Sequence, residues 1–428
     1  MKSHYKYLVI GAGVSGLTFA NALNDDCCII EKENSIGGLC RTIYQDGFVW
    51  DYAGHFFHFA NEKIKSYFES KINKTDINVC NKNTKIYYKN KLIDYPFQMN
   101  IHQLDKEEFI DCLYDLFNRK EKENYNSFLD MLYGKFGISI TEKFLKPYNE
   151  KLYACELDEL DINAMGRFFP YASPKEIIDN MKYKGDNTYN SQFDYPKNGA
   201  ITFIEILRKN IEDAQININK ELEEINPKEK KAKISGKWVT YDNLISTIPL
   251  DSFLKVLPSG YTGISSIPDA FNANKVLVFN LGFDKASIDK NIHWIYFPEK
   301  QVNFYRIGFY NNILNQEKLS MYVEIGYRTD ELVNEQLQLE LTLKNLKKYG
   351  IISDHKLVSY NSLIINPAYV HITEKSKKEV DALKSKLGKD NIYLLGRYGT
   401  WTYCSIEDCM IQALNLVKEI GSHEPQLR

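Results

Sequence analysis

The sequence predicts an α/β fold, and three observations carry that prediction. Near the N-terminus a short apolar run, Tyr7-Leu-Val-Ile10, leads directly into Gly11-Ala-Gly13-Val-Ser15-Gly16. Apolar residues at helical spacing follow from Leu17 to Leu23, and a second apolar run, Cys27-Cys-Ile-Ile30, ends at Glu31. That order reads as strand, glycine-rich turn, helix, strand. The other two observations lie further along. Residues 104–150 repeat apolar positions with helical period, at Phe109, Leu113, Leu116 and Phe117, then Phe128, Leu129 and Leu132. From Lys275 to Tyr327 short β-type runs dominate: Val276–Leu281, Val302–Phe309 and Met321–Ile325.

Bulk composition bounds the answer. At roughly 150 residues per domain, 428 residues predict two or three domains. Hydrophobic residues at 44% and charged residues at 26% describe a globular chain rather than a disordered one. Lys and Arg number 54 against 56 Asp and Glu, a formal charge of −2, which gives no reason to expect nucleic acid or an anionic membrane as partner. The 8 Cys show neither CxxC nor zinc-finger spacing, so the chain reads as reduced, cytoplasmic and without structural metal. Neither a signal peptide nor an apolar run long enough to span a bilayer is expected.

The N-terminal motif has a physical reading at each position. Gly11 permits the tight turn after the strand, Gly13 leaves room for a pyrophosphate, and Gly16 lets the helix sit close to the strand. The helix N-terminus, with Ser15 in its first turn, offers free N–H groups and partial positive charge to phosphates. Glu31 stands where the fingerprint places an acid for a ribose diol, and Lys32 follows it. Strand, GxGxxG, helix, strand and acid in register predict a Rossmann-like dinucleotide site.

Gly37-Gly38-Leu39-Cys40-Arg41 comes next. A second glycine pair lets backbone approach a cofactor that extends past the first phosphate site, and Arg41 could supply charge to it. The stretch resembles the GG-x-x-R half of the FAD signature in glutathione-reductase-like flavoproteins of the amine-oxidase type. Beyond it the resemblance narrows. Gly54-His55-Phe56-Phe57-His58, Tyr95-Pro-Phe, Pro147–Tyr153, His293–Glu299 with Phe304-Tyr305-Arg306, and Gly396-Arg397-Tyr-Gly with Tyr403 and Asp408 resemble, in order, segments of the UDP-galactopyranose mutases. The chain is thereby identified as similar to that family, in its protoporphyrinogen-oxidase-like branch.

The resemblance implies a discontinuous FAD-binding domain (residues 1–80, 195–250 and 385–428). It also implies an inserted helical domain (100–190) and an antiparallel-sheet substrate domain (80–100 and 250–385). Its implied activity is interconversion of pyranose and furanose forms of UDP-galactose or a related nucleotide sugar. The active cofactor would be reduced FAD, working through a flavin N5–sugar adduct. Cofactor contacts fall on Gly11, Gly13, Ser15, Gly16, Glu31, Lys32, Gly38, Leu39, Arg41, His55, Phe56, Gly396, Arg397 and Asp408. His58 would stand at the flavin edge, Arg306 would bind the substrate phosphate, and Tyr327 and Tyr369 would reach the diphosphate. Tyr305, Tyr403 and Tyr153 complete the expected substrate set. An external reductant such as NAD(P)H and self-association as a homo-oligomer are left open by the resemblance.

One departure stands out. Where the mutases carry a mobile-loop Arg, this chain offers Asp194, which would repel a pyrophosphate by about 1 kcal/mol or more if partly shielded from water. Lys182, Lys184, Lys197 or Arg167 could supply the charge instead. The alternative reading is an FAD oxidase or dehydrogenase of the amine-oxidase or protoporphyrinogen-oxidase type. A flavin-binding protein without catalysis is the third.

Overall fold

The structure, a computed structural model, describes residues 2–23, 25–183, 192–421 and 424–428. Its N-terminus folds as the motif predicts: strand His4–Ile10, helix Val14–Ala22, strand Cys27–Ile30. The helix carries the chain back, so the two strands lie side by side and parallel, with Tyr7 opposite Cys27 and Ile10 opposite Ile30. On its other side His4–Ile10 pairs, again parallel, with Lys237–Ser246, and the end of that strand pairs with Ile392–Leu394. One sheet is therefore assembled from the beginning, middle and end of the chain.

Its central strands read as continuous apolar runs because both faces are covered. Leu8, Val9, Ile29, Leu244 and Ile245 are fully buried. The closing helix Ile406–Ile420 packs against Val14–Ala22 through Met410, Ala413 and Val417. An antiparallel hairpin, Leu222–Asn226 with Lys231–Ile234, extends the same sheet, and its Glu and Lys side chains keep that edge solvated.

A second sheet of seven strands runs in the order Leu357–Ile365, Asn274–Phe283, Ser320–Arg328, Arg306–Phe309, Trp294–Tyr296, Thr84–Tyr88 and Lys91–Asp94. Neighbours are antiparallel, as expected, except Trp294–Tyr296, which runs parallel to Thr84–Tyr88. Alternation of side chains gives this sheet two distinct faces. Phe279, Leu281, Val323 and Ile325 pack with Leu339 and Leu346 of helix Glu335–Lys348 on one face. The opposite face carries Val276, Val278 and Tyr322 toward the helical layer, whose helices are Lys106–Phe117, Phe128–Ile140, Lys146–Tyr153 and Pro174–Tyr183.

The boundaries expected for the sheet domain need correction. Leu250, Phe253 and Phe271 pack with Leu8, Leu244 and Ile392 on the parallel sheet, as do Val380, Leu383 and Leu387 of helix Glu374–Gly388. Their apolar faces complete the cover of that sheet, so residues 250–272 and 370–388 belong with it.

Two polar anchors fix the layers against one another. Lys151 Nζ donates to the carbonyls of Phe297, Glu299 and Phe304 at 2.8, 3.0 and 2.6 Å, tying the helix Lys146–Tyr153 to the sheet edge. Asp51, fully buried, accepts from Thr42 Oγ1, the Tyr195 hydroxyl and the Ala200 N–H. Among the described residues no helix is long and apolar enough to cross a membrane.

Candidate active site

The dinucleotide motif is built for close approach. Gly11 has φ +105°, which an L side chain rarely adopts, and a Cβ on Gly16 would overlap the Gly11 carbonyl oxygen. Gly13 and Gly38 face each other nearly Cα to Cα, and Gly396 lies against Ser15. Three glycine-bearing segments thus converge at the N-terminus of Val14–Ala22 and leave backbone exposed where phosphates would sit. Glu31 is buried and accepts from the Ala12 N–H (2.8 Å, Oε2) and the Glu33 N–H (3.0 Å, Oε1). Each oxygen retains a lone pair for a ribose hydroxyl. Arg41 Nε donates to the Gly38 carbonyl (2.8 Å) and its guanidinium covers the Tyr52 ring, so it braces the glycine turn. Leu39 packs against the core that the second sheet shares with the helical layer, while Lys32 is exposed beside Glu33.

A cavity of about 1480 Å³ opens where the layers meet. Phe56 and His58 line it from the first domain, with Ser405, Ile406 and Glu407 from the start of the closing helix. Tyr148, Arg167 and Phe168 line it from the helical layer, and Tyr95, Tyr296 and Arg306 from the sheet. Tyr369 and Tyr403 complete the wall, with rings stacked at 6.1 Å. The Arg397 guanidinium sits 4.4 Å from the Tyr403 ring centroid and 5.5 Å from that of Tyr369, behind both.

His58 is held by its neighbours. Glu407, itself buried, accepts from the N–H groups of Ala60 and Asn61 at 2.9 and 2.7 Å, pinning the segment that follows His58. Burial, and secondarily the nearby Lys82, pull the His58 imidazole down to about 4, so it is neutral near pH 7. Burial pulls His55 down to about 4 as well, with one ring nitrogen 3.2 Å from the Ala53 carbonyl. His55 stands behind the wall rather than in it.

Arg306 lies directly opposite Glu324 on adjacent antiparallel strands. Its Nε and Nη2 meet the two Glu324 oxygens at 2.8 and 2.6 Å, and its guanidinium covers the Tyr322 ring at 5.8 Å. Gly308, across from Tyr322, leaves space that this ring fills. A guanidinium has five N–H donors; two are taken by Glu324 and one points to the Tyr296 hydroxyl, so two remain for a ligand in the cavity.

Several expected residues fall elsewhere. Tyr327 shares the strand parity of Val323 and Ile325, and so packs on the opposite face of the sheet from the cavity. Tyr305 and Tyr153 are fully buried one layer behind the wall, against Tyr148 and Tyr369 respectively. Asp408 has partners of its own. It closes a capping box with Ser405 and pairs with Arg167 at 2.7 Å. Asp194 is absent from the cavity lining. Its strand neighbours Phe193 and Tyr195 are the ones turned inward, against Phe56. Lys197 and Lys182 are exposed and also outside the lining; Lys184 lies outside the described residues.

Sequence reasoning missed four contributors: Glu324, Lys82, Glu407 and Asn274. Asn274 is fully buried, accepts from the Tyr369 N–H (2.7 Å) and donates to the Leu152 carbonyl (2.6 Å), so one side chain places Tyr369 against the helical layer. Only a polar residue at the start of an apolar strand signalled it. Tyr95, Tyr148 and Tyr296 were visible as aromatics but carried no separate signal from packing.

Parallel sheet, converging glycine turns and an inserted sheet over a polar-aromatic cavity define a flavoenzyme-type fold with a Rossmann-like dinucleotide domain. A family profile for NAD(P)-binding Rossmann-like domains matches residues 9–70. The whole chain has the fold of a reduced UDP-galactopyranose mutase, at a TM-score of 0.90 and 24% identity over 98% of this chain and 95% of that one. It is also similar to an Exiguobacterium protein provisionally assigned as protoporphyrinogen oxidase, at TM-score 0.75 and 15% identity over 98% and 99% of the two chains. Cyclohexylamine oxidase from Brevibacterium oxydans gives 0.67 and 12% over 97% and 99%.

Proposed function

We propose that the chain is an FAD-dependent mutase interconverting pyranose and furanose forms of a nucleotide sugar. The observation that carries this reading is Arg306 among Tyr296, Tyr369 and Tyr403 in a cavity that His58 also lines. A guanidinium with free donors and several ring faces suit a diphosphate and a planar base. A pocket for an amine, itself a cation, has no use for that guanidinium. The glycine turns, Glu31 and Arg397 fit a dinucleotide along the N-terminus of Val14–Ala22. Reduced FAD, when bound there, would supply an electron-rich nucleophile at the cavity edge.

The chain's own residues would do the rest. Arg306 and Tyr369 hold the diphosphate while it is detached from the sugar, so that it stays poised to return. The neutral His58 can donate from one ring nitrogen and accept at the other beside the cofactor. The surrounding tyrosine rings exclude water that would otherwise trap the sugar.

The test is to reduce the purified protein with dithionite, add UDP-galactopyranose, UDP-galactofuranose or other nucleotide sugars, and follow isomer ratios by chromatography. Interconversion without net redox change is the expected result. Inert nucleotide sugars, with flavin reduced instead by an amine or a porphyrinogen, would establish the oxidase reading that the likeness to cyclohexylamine oxidase favours.

A further inference from the structure

The charges that line the cavity are nearly all accounted for within the protein. Arg306 is held by Glu324 and Arg167 by Asp408. Of the carboxylates, Asp94 is paired with Lys85, Asp179 with Lys175, Glu176 with the Ser173 N–H, and Glu407 with two backbone N–H groups. Lys82 is the exception. Its Nζ has no carboxylate within ion-pairing distance among the described residues, and it stands 5.6 Å from the ring centroids of both Tyr95 and Trp294. Burial alone pulls its ammonium below the usual lysine range.

Two π faces attract an ammonium but replace only part of its lost hydration. An unpaired cation kept in a cavity wall under those conditions is matched by an anion that arrives from outside. Its place on the wall is informative. The Tyr95 ring lies 5.2 Å from that of Tyr296, whose hydroxyl neighbours Arg306, so Lys82 and Arg306 flank one aromatic surface. His58 feels the Lys82 charge, which puts Lys82 toward the cofactor side.

We propose that Lys82 is a second anion-binding residue of this cavity, pairing with an anionic oxygen group of the substrate beside the group held at Arg306. That group is a phosphate of the nucleoside diphosphate or a carboxylate on the sugar. The choice of nucleotide probes rests on the function proposed above; the existence of the anion site does not.

The experiment uses the full-length wild type, Lys82→Met and Lys82→Arg, titrated at low ionic strength with UDP, UDP-glucose and UDP-glucuronate. Loss of a charge-assisted contact predicts about tenfold or greater weakening in Lys82→Met and near-complete retention in Lys82→Arg. Equal weakening for all three ligands assigns the phosphate; weakening confined to UDP-glucuronate assigns the sugar carboxylate. Unchanged affinity for every ligand that the wild type binds overturns the proposal. If the wild type binds no nucleotide, the mutase reading fails and Lys82 is tested separately. Acetylation of Lys82 in the wild type is then followed by peptide mass, with exposed Lys175 as internal reference. Inorganic pyrophosphate or free glucuronate should slow labelling at Lys82 selectively; equal slowing at both lysines, or none, overturns the proposal.

Discussion

Arg306 and Glu324 form a bidentate pair across two antiparallel strands, with Nε–Oε2 2.8 Å and Nη2–Oε1 2.6 Å, and Glu324 is almost wholly buried. The residue best placed to bind a substrate anion is therefore also the counter-charge of a buried acid. This changes what an alanine substitution reports. Arg306→Ala strands the Glu324 carboxylate, at a cost of about 3–5 kcal/mol. Arg306→Met combined with Glu324→Leu removes both charges and should recover most of that stability. Neither variant should retain UDP affinity. Urea unfolding alongside UDP titration checks both statements, and a double variant that binds UDP as the wild type does would remove Arg306 from the substrate site.

Tertiary placement separates two tyrosines that the sequence could not: strand parity turns Tyr327 away from the cavity, while Asn274 holds Tyr369, in the turn after Leu357–Ile365, in its wall. Tyr369→Phe deletes a hydroxyl in the cavity wall and should weaken UDP binding by about 0.5–1.5 kcal/mol, roughly two- to thirteenfold. Tyr327→Phe, on the far face of the sheet, should leave UDP affinity unchanged. Calorimetric titration of both variants distinguishes the faces directly.

Glu407 holds the His58 segment through two backbone N–H groups. Glu407→Ala leaves both donors unsatisfied, for a loss of about 1–3 kcal/mol of stability. It should also loosen the cavity wall at His58. Glu407→Gln keeps a carbonyl oxygen at the same place and should recover much of the loss. Thermal unfolding of the two variants is the measurement, and equal losses would argue against the hydrogen-bond role.

Acid should weaken the wall beside Lys82. His293 is buried and its Nδ1 accepts from the Asn83 N–H at 3.1 Å, so the neutral ring is the bound form. Burial pulls this imidazole from 6.5 to about 4. Between those values the unfolded chain binds more protons than the folded one, so this contribution to stability is present above about pH 6.5 and lost as pH falls toward 4. Allowing for partial solvent screening, its size is about 1–2 kcal/mol. His293→Asn retains an acceptor without titrating, and should flatten the difference in urea-unfolding free energy between pH 7 and pH 5. A slope unchanged by the substitution would assign the acid sensitivity to other groups, such as His55 and His58.

The sequence by itself determined what depends on near neighbours. The glycine spacing from Gly11 to Gly16, the apolar strands beside it and Glu31 define a dinucleotide turn because each acts within a few residues of chain. Tertiary structure decided the rest. Which face of a strand looks into the cavity is a single binary choice for all its side chains, and it set Arg306 and Glu324 on one side and Tyr327 on the other. Asp408 carries the right residue type for a cofactor contact, but only the fold shows that Ser405, three residues before it, and the distant Arg167 also engage its carboxylate. Lys82 shows the limit most plainly. Its local sequence is an ordinary solvated stretch, and only packing between Tyr95 of its own hairpin and Trp294, distant in the chain, makes its charge an unmatched one.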